Sequence, residues 1–457
     1  MGSGCRLAAE RDNAVIRHGL TTLRLSYNPL RLALHGQIAQ TLRISGMPPR
    51  QPRKKRMDQH RYTGLDALRG SMMMLGIVLH ASMFYLAAPP PTIVLPLDRN
   101  TSYLFDVLFH LIHQFRMPAF FVLAGFFTAL LVEKRGLRGT YHNRASRILA
   151  PLLAGALTVV PLTAWWLIAF MLSARFGTHD LIPDLDAVKQ LAAEIAAKGG
   201  TVDEPAVAHL WFLYYLCQFY LLIPLCQYLA AQGVPLLRRW QHWPQSSLLL
   251  LVLTLHTAAT LWPFRGGQVH EGYLYLKPHW PSLLYFGSFF VCGYVLHHRR
   301  ALLQILAQRV TSSALIAIVL FPLALMTSHL DHAASGASVP LHAMAVLANG
   351  LCSWAMIYFF IGGAMRFFDR ASPWSEYLAQ SSYWVFLIHL PLVTLAAWWL
   401  VAFDLPAVIK FLLVAGFAVV LAFLSFHYCV QKTWISSFLH GRRFDLAWPW
   451  QQPIHKA

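Results

Sequence analysis

The chain runs to 457 residues, 57% of them hydrophobic and only 12% charged, with a mean hydropathy of +0.48. A soluble domain carries about twice that charged fraction, so this chain lacks the polar surface to cover itself in water and needs lipid. Its formal net charge of +18 would point a soluble protein towards nucleic acid, but most of the basic residues fall between apolar runs, which is the pattern of membrane topology and leaves no nucleic-acid partner.

Residues 1–56 contain no compact apolar signal core and end in the basic run Arg53-Lys54-Lys55-Arg56, directly before Met57. Two readings fit: a disordered basic N-terminal segment, or translation that starts at Met57. The second is slightly favoured, because nothing in 1–56 carries a pattern that needs to fold.

From there, apolar stretches of membrane-spanning length, about 20 residues, recur ten times. They cover roughly 68–87, 104–132, 147–172, 209–231, 246–263, 280–297, 311–328, 339–365, 381–402 and 406–430. The loop charges fit this count with the N-terminus inside. One set of connections holds Lys134, Arg135, Arg138 and Arg144, then Arg238 and Arg239, then Arg299, Arg300 and Arg309, then Arg366 and Arg370. The longest loop of the other set, 173–208, is acidic, with Asp180, Asp184, Asp186, Glu194, Asp203 and Glu204. The pattern predicts an all-α integral membrane protein of about ten transmembrane helices with N- and C-termini cytoplasmic. Residues 57–435 form the transmembrane domain and 436–457 a cytoplasmic tail. In 173–208, Val188, Leu191, Ala192 and Ile195 recur at helical spacing and predict a short amphipathic helix. The six cysteines form no C-x-x-C pair and read as small buried hydrophobes, with no metal site.

Ionisable groups within a span are expensive, so each is a candidate for function. In the first span, Arg69 and His80 are eleven residues apart, which on a helix is roughly 16 Å of rise and about three turns, so the two share a face. Arg69 falls at the inner surface, where it can hold a phosphate, and His80 falls deep, where it can act as a base or carry an acyl group. The plainer reading makes Arg69 an interfacial anchor and His80 a satisfied interhelical group. Asp66 is placed to orient Arg69, or is a surface carboxylate near a helix start.

The second span places His110, His113 and Arg116 at steps of three and so on one helix face, followed by Pro118 and Gly125, which mark a break or a close helix contact. A zinc reading of His110 and His113 is weak, because no carboxylate accompanies them. Arg144 and Arg147 open the third span as a phosphate grip or as ordinary anchors. His209 and Trp211 open the fourth at the outer surface, where Trp211, Tyr214 and Tyr215 suit an aromatic belt or a sugar platform. His389 lies in the ninth span just before Pro391.

Several of these stretches resemble one family. Arg69 with His80, F-R-M-P-A-F-F-V-L-A-G at 115–125, R-I-L-A-P at 147–151 and H-L-W-F-L at 209–213 are similar to the acyltransferase-3 membrane acyltransferases. Y-F-G-S-F-F-V-C-G-Y at 285–294 and S-Y-W-V-F-L-I-H at 382–389 extend the resemblance over about 60–430. The chain departs from the usual F-F-x-x-S-G at Ala124, which removes a hydroxyl from that position. Within the family it looks most like the branch that acts on periplasmic glucans. The resemblance implies a multi-pass protein of the bacterial inner membrane that moves an acyl group from a cytoplasmic acyl-CoA, succinyl-CoA or acetyl-CoA, to a sugar hydroxyl outside. The acceptor is then a periplasmic glucan or, as an alternative, lipopolysaccharide or another envelope polysaccharide. On that reading His80, His113 and Arg116 are catalytic, Arg69, Arg144 and Arg147 bind the donor, and Asp66, His209, Trp211 and His389 support substrate or site. A transporter with buried His and Arg along its path is the non-enzymatic alternative.

Overall fold

The computed structural model describes residues 62–90, 97–177, 179–197, 207–229, 231, 245–269, 278–334, 338–368 and 372–451. The segment 1–56, with its two readings, lies outside the described residues.

Every described element is helical. In chain order they are α1 (Thr63–Ser82), α2 (Tyr103–Arg144), α3 (Ala150–Phe176), α4 (Leu185–Ala197) and α5 (Trp211–Tyr220). There follow α6 (Gln245–Leu261), α7 (Trp280–His298), α8 (Ala301–Gln308) and α9 (Val310–Ala333). The last are α10 (Val339–Phe367), α11 (Pro373–Leu400), α12 (Ala407–Ser425) and α13 (Trp434–His440). The short helix expected in 173–208 is α4.

Each of the ten predicted stretches overlaps helix, but fewer qualify alone as spans. Among the described residues, six helical segments are long and apolar enough to cross a membrane, or seven if the bent pair Ala208–Tyr220 and Ile223–Leu229 counts as one. One of the six, Tyr103–Phe176, is continuous over 74 residues and contains two predicted spans. Hydropathy separated them at a basic stretch that is helical but kinked at Gly136, where φ is 68°, and passes through a π-helical turn at Ala145–Leu149. The apolar part of α6 is only Leu248–Leu261, short of a full crossing.

Local chemistry sets the helix ends. Ser102 caps α2 by accepting from the Leu104 N–H. Ser372 and Ser375 form a reciprocal capping box at α11, with Pro373 at its first position. The core is aromatic and is knitted by close helix crossings. A Cβ on Gly125 of α2 would overlap the Phe290 carbonyl of α7, and one on Gly293 of α7 would overlap the Val122 carbonyl of α2. The close contact predicted at Gly125 is therefore the α2–α7 crossing, which only glycines permit. By contrast, only 28% of the apolar window of α9, and the same share of α12, is buried. Leu315, Ile318 and Val319 of α9 and Leu412 and Val420 of α12 are exposed, as lipid-facing residues would be.

Charge is sorted along the bundle. Arg69, Arg144 and Arg147 gather at one end, and His297 of α7 and Arg300 of the turn after it meet Glu133 of α2 on that same side of the chain's path. At the opposite end Asp98 and Lys410 form a buried ion pair, with Nζ 2.9 and 2.8 Å from the two carboxylate oxygens. Asp106 accepts there from the Ala87 and Ala88 N–H groups, which fixes the turn between α1 and α2.

Candidate active site

The deep end of α1 carries His80 to a cavity of about 170 Å³. Its polar lining comes from separate segments: His80 from α1, His113 and Arg116 from α2, and His209 from the turn before α5. Thr163 of α3 and Thr394 of α11 add hydroxyls, and Trp211, Phe212 and Phe386 form aromatic walls. His389 completes the cluster behind the lining. Its ring centroid is 5.2 Å from that of His80 and 5.0 Å from that of His209.

Hydrogen bonds fix which nitrogen of each ring faces the cluster. A carbonyl only accepts, so its partner nitrogen must carry the proton. The His389 Nδ1–H donates to the Phe386 carbonyl at 2.7 Å, and its Nε2 is buried with no partner. The His209 Nε2–H donates to the Leu387 carbonyl at 3.0 Å, and its Nδ1 is likewise buried without a partner. Both unpartnered nitrogens therefore present lone pairs. The His80 ring borders the cavity and has no protein hydrogen bond among the described residues.

Arg116 is the cation of the cluster. Its Nε–H donates to the Met72 carbonyl at 2.9 Å, across from α2 to α1, and the residue is only 6% exposed. Gly76 makes room for it. A Cβ at Gly76 would overlap the Arg116 guanidinium and sit 3.4 Å from His389 Nε2. Gly76 lies one turn before His80 and on the same face, so α1 offers a gap and then an imidazole.

A second polar assembly adjoins the cavity. His113, Met117 and Trp211 also border a small void of about 20 Å³, room for roughly one water. Its far wall is a network of buried amides. Gln268 donates to Gln114 and to Asn349 Oδ1 (2.8 Å), and accepts from the His110 Nδ1–H at 2.9 Å. Gln114 donates to the Asn349 carbonyl (2.7 Å) and to Ser353 Oγ (2.8 Å). The network ties the 262–268 turn to α2 and α10. A larger cavity, about 790 Å³, is elsewhere: it is almost wholly apolar and lies against the face of α1 opposite His80.

The predicted residues thus separate into two groups. His80, His113, Arg116, His209, Trp211 and His389 converge at the deep cavity. Asp66, Arg69, Arg144 and Arg147 lie at the basic end. Arg69 pairs with Asp66 at 3.1 Å and its guanidinium stands 5.4 Å over the Phe127 ring. Arg144 donates to Thr128 Oγ1 at 3.1 Å and covers Tyr220, so both arginines flank one stretch of α2. Arg147 Nη1 donates to the Ser437 and Phe438 carbonyls, both at 2.7 Å.

Two placements correct the sequence reading. His209 was expected at the outer surface, with Trp211 and Tyr215 in an aromatic belt. Instead His209 is 4% exposed and Tyr215 fully buried, and Trp211 packs on Phe121 and Phe286. The cause is local: Ala208 takes φ 45°, and the resulting tight turn carries the chain inwards before α5 begins. His110, expected on the face of His113 and Arg116, turns instead to Gln268 and His329, because two steps of three residues already rotate by about 120°. Gly76, Gln268 and Asn349 were not singled out. Gly76 had a signal in the sequence, a glycine one turn before the histidine on its face, whereas the two amides had none.

Comparisons with known proteins give the family. The acyltransferase-3 profile, described as an acyltransferase domain, matches residues 62–427, which include every residue of both groups. The chain belongs to the acyltransferase-3 family. Among curated proteins it is similar to glucans biosynthesis protein C of Escherichia coli (strain K12), 31% identical over 151 residues, 33% of this chain and 34% of that protein. The glucans biosynthesis protein C of Salmonella paratyphi B is 29% identical over 150 residues, with the same shares of each. The alignment spans about a third of the length of these curated relatives. No solved structure matches. Membership of this family and the apolar helices make the chain a multi-pass membrane acyltransferase.

Proposed function

We propose that the chain transfers a succinyl group from succinyl-CoA to hydroxyls of periplasmic glucans, across ten membrane crossings with both termini in the cytoplasm of a bacterial cell. The observation that carries the reading is the meeting of His80, Arg116, His209 and His389 from four separate segments around one cavity. The relatives' printed name, glucans biosynthesis protein C, supports the acceptor.

The donor is a large anion with a long neutral arm. Arg69, Arg144 and Arg147 hold its phosphates at the basic end, which faces the cytoplasm. The arm reaches along α1 to His80, eleven residues and roughly 16 Å further on. His80 takes the proton of the sugar hydroxyl as its oxygen attacks the thioester carbonyl. The tetrahedral oxyanion forms beside Arg116, whose charge stabilises it. Its collapse expels the CoA thiolate, which receives the proton from His80. His209, which lines the cavity, orients the hydroxyl through its inward lone pair, and His389 backs the cluster from behind the lining. His113 and Trp211 line the approach from the outer side, and lipid covers the apolar faces.

Purified protein in lipid nanodiscs, given succinyl-CoA and glucan oligosaccharide, tests this by release of free thiol and by mass of the sugar. Succinylated sugar formed by wild type and lost in His80→Ala supports the reading. Modification with acetyl-CoA alone transfers the case to an O-acetyltransferase of another envelope polysaccharide. Movement of substrate with no modified sugar points to a transporter and ends the enzymatic reading.

A further inference from the structure

The C-terminal residues 431–444 are folded against the bundle as a strap. The chain leaves α12, enters α13, stops at Gly441 with φ +77°, and returns so that the Phe444 N–H donates to the Gln431 carbonyl at 2.9 Å. Ser436 Oγ donates to the Arg442 carbonyl at 2.9 Å and closes the return. Its seat is Arg147, which binds the carbonyls at the C-terminal end of α13, where a cation is favoured. A Cβ at Gly441 would overlap the Arg147 guanidinium, so glycine serves both the backbone turn and the contact.

The strap sets His440 beside Gly441, where Arg147 packs, and its ring stands 6.3 Å from Tyr383 and 5.2 Å from Phe444. Burial first, and then the charges of Arg69, Arg147 and Arg442, hold its imidazole below the ordinary value. Tyr383 in turn donates its hydroxyl to the Arg147 carbonyl at 2.7 Å. His440 Nε2 is buried with no partner, and so is Arg144 Nε. Within this group Asp66 supplies the counter-charge, and it pairs with Arg69. Arg147 uses only Nη1 on the strap; its other nitrogens carry no protein hydrogen bond among the described residues. Arginines held together with an unpartnered ring nitrogen repel one another until an anion joins them.

We propose that the strap is a built wall of the donor's phosphate site, and that His440 Nε2 binds a phosphate of the donor together with Arg69 and Arg147. This rests on the acyl-CoA reading above. It makes the C-terminus part of the binding machinery, and it gives Gly441 a positioning role through Arg147.

The test is binding of coenzyme A, and of pantetheine, which has the arm without the phosphates, to the full-length protein in nanodiscs. Wild type is expected to prefer coenzyme A. His440→Ala should weaken coenzyme A by about tenfold, the loss of one charge-assisted hydrogen bond, and leave pantetheine unchanged. His440→Gln, which keeps an N–H donor, should recover part of that loss. Gly441→Ala should weaken coenzyme A at least as much, and Arg443→Ala, exposed on the strap, should not. Melting temperatures without ligand separate binding from folding: the His440 variants should melt close to wild type but lose part of the shift that coenzyme A induces. Wild type that binds no coenzyme A overturns the donor reading and the proposal with it. Wild type that binds while His440→Ala and Gly441→Ala bind equally well overturns the proposal alone.

Discussion

Gly76→Ala isolates the cavity's geometry from its chemistry, because it alters no polar group. Alanine in a helix interior is favoured over glycine by about 1 kcal/mol, so on propensity alone the variant should gain stability. The added Cβ, however, overlaps the Arg116 guanidinium and approaches His389 Nε2 to 3.4 Å. Arg116 is buried and cannot swing into water. Relief requires it to shift by about an ångström and to weaken its 2.9 Å bond to the Met72 carbonyl. Hydrogen bonds to charged groups contribute about 1.5–3 kcal/mol, so the net change in stability should be small, a loss of about 1–2 kcal/mol at most. A misplacement of about 1 Å at a reacting centre costs about a hundredfold in rate. Acyl transfer measured on protein in nanodiscs should therefore fall about that far while the melting temperature moves by a few degrees. Gly416→Ala is the control, since a Cβ there meets nothing within 4 Å, and it should keep full activity. A Gly76→Ala protein with wild-type rate would refute the placement of Arg116 against α1 as a catalytic requirement.

Other consequences follow from the same contacts. Lys410→Met leaves Asp98 buried and unpaired, with both side chains 1% exposed in the wild type, and should destabilise by about 3–5 kcal/mol. Asp98→Asn added to it should restore most of the melting temperature, and equal melting of single and double variants would contradict the pairing. Gln268→Leu removes the side chain that bonds His110 Nδ1, Gln114 Oε1 and Asn349 Oδ1 and should lower stability by about 1–3 kcal/mol per hydrogen bond left unreplaced, read by thermal melting. Burial, and after it the charges of Arg69, Arg147 and Arg442, pushes the His440 imidazole down to about 4. The folded state then binds fewer protons than the unfolded one, so the stability it contributes is complete above about 6.5 and is lost as pH falls towards 4. Melting at pH 7.5 and at pH 5 should differ less in His440→Gln than in wild type.

How much of this was legible in the sequence depends on how far apart in the chain the partners lie. Arg69, Asp66 and His80 share one helix, and helical periodicity alone put them on one face at two depths. The apolar stretches were legible too, because hydropathy is a local property. What failed was local backbone detail. The break after Tyr220, which bends the helix pair by 60°, has Pro224 at the second position of the helix that follows, a local signal that the count of apolar residues passes over. The inward turn at Ala208 left His209 assigned to the surface. The meeting of His209 with His389, and of Gln268 with Gln114 and Asn349, is made only by packing across long stretches of sequence. No spacing rule reaches that far. Nor did composition hint that the C-terminal residues, read as a tail, would seat on Arg147.

The most direct test of the account is mass spectrometry of periplasmic glucans from cells with and without this gene, complemented by wild type or by His80→Ala. The account predicts that succinyl groups disappear without the gene and return only with wild type. Glucans that are unchanged in every strain, or that are succinylated as fully by His80→Ala as by wild type, would contradict it.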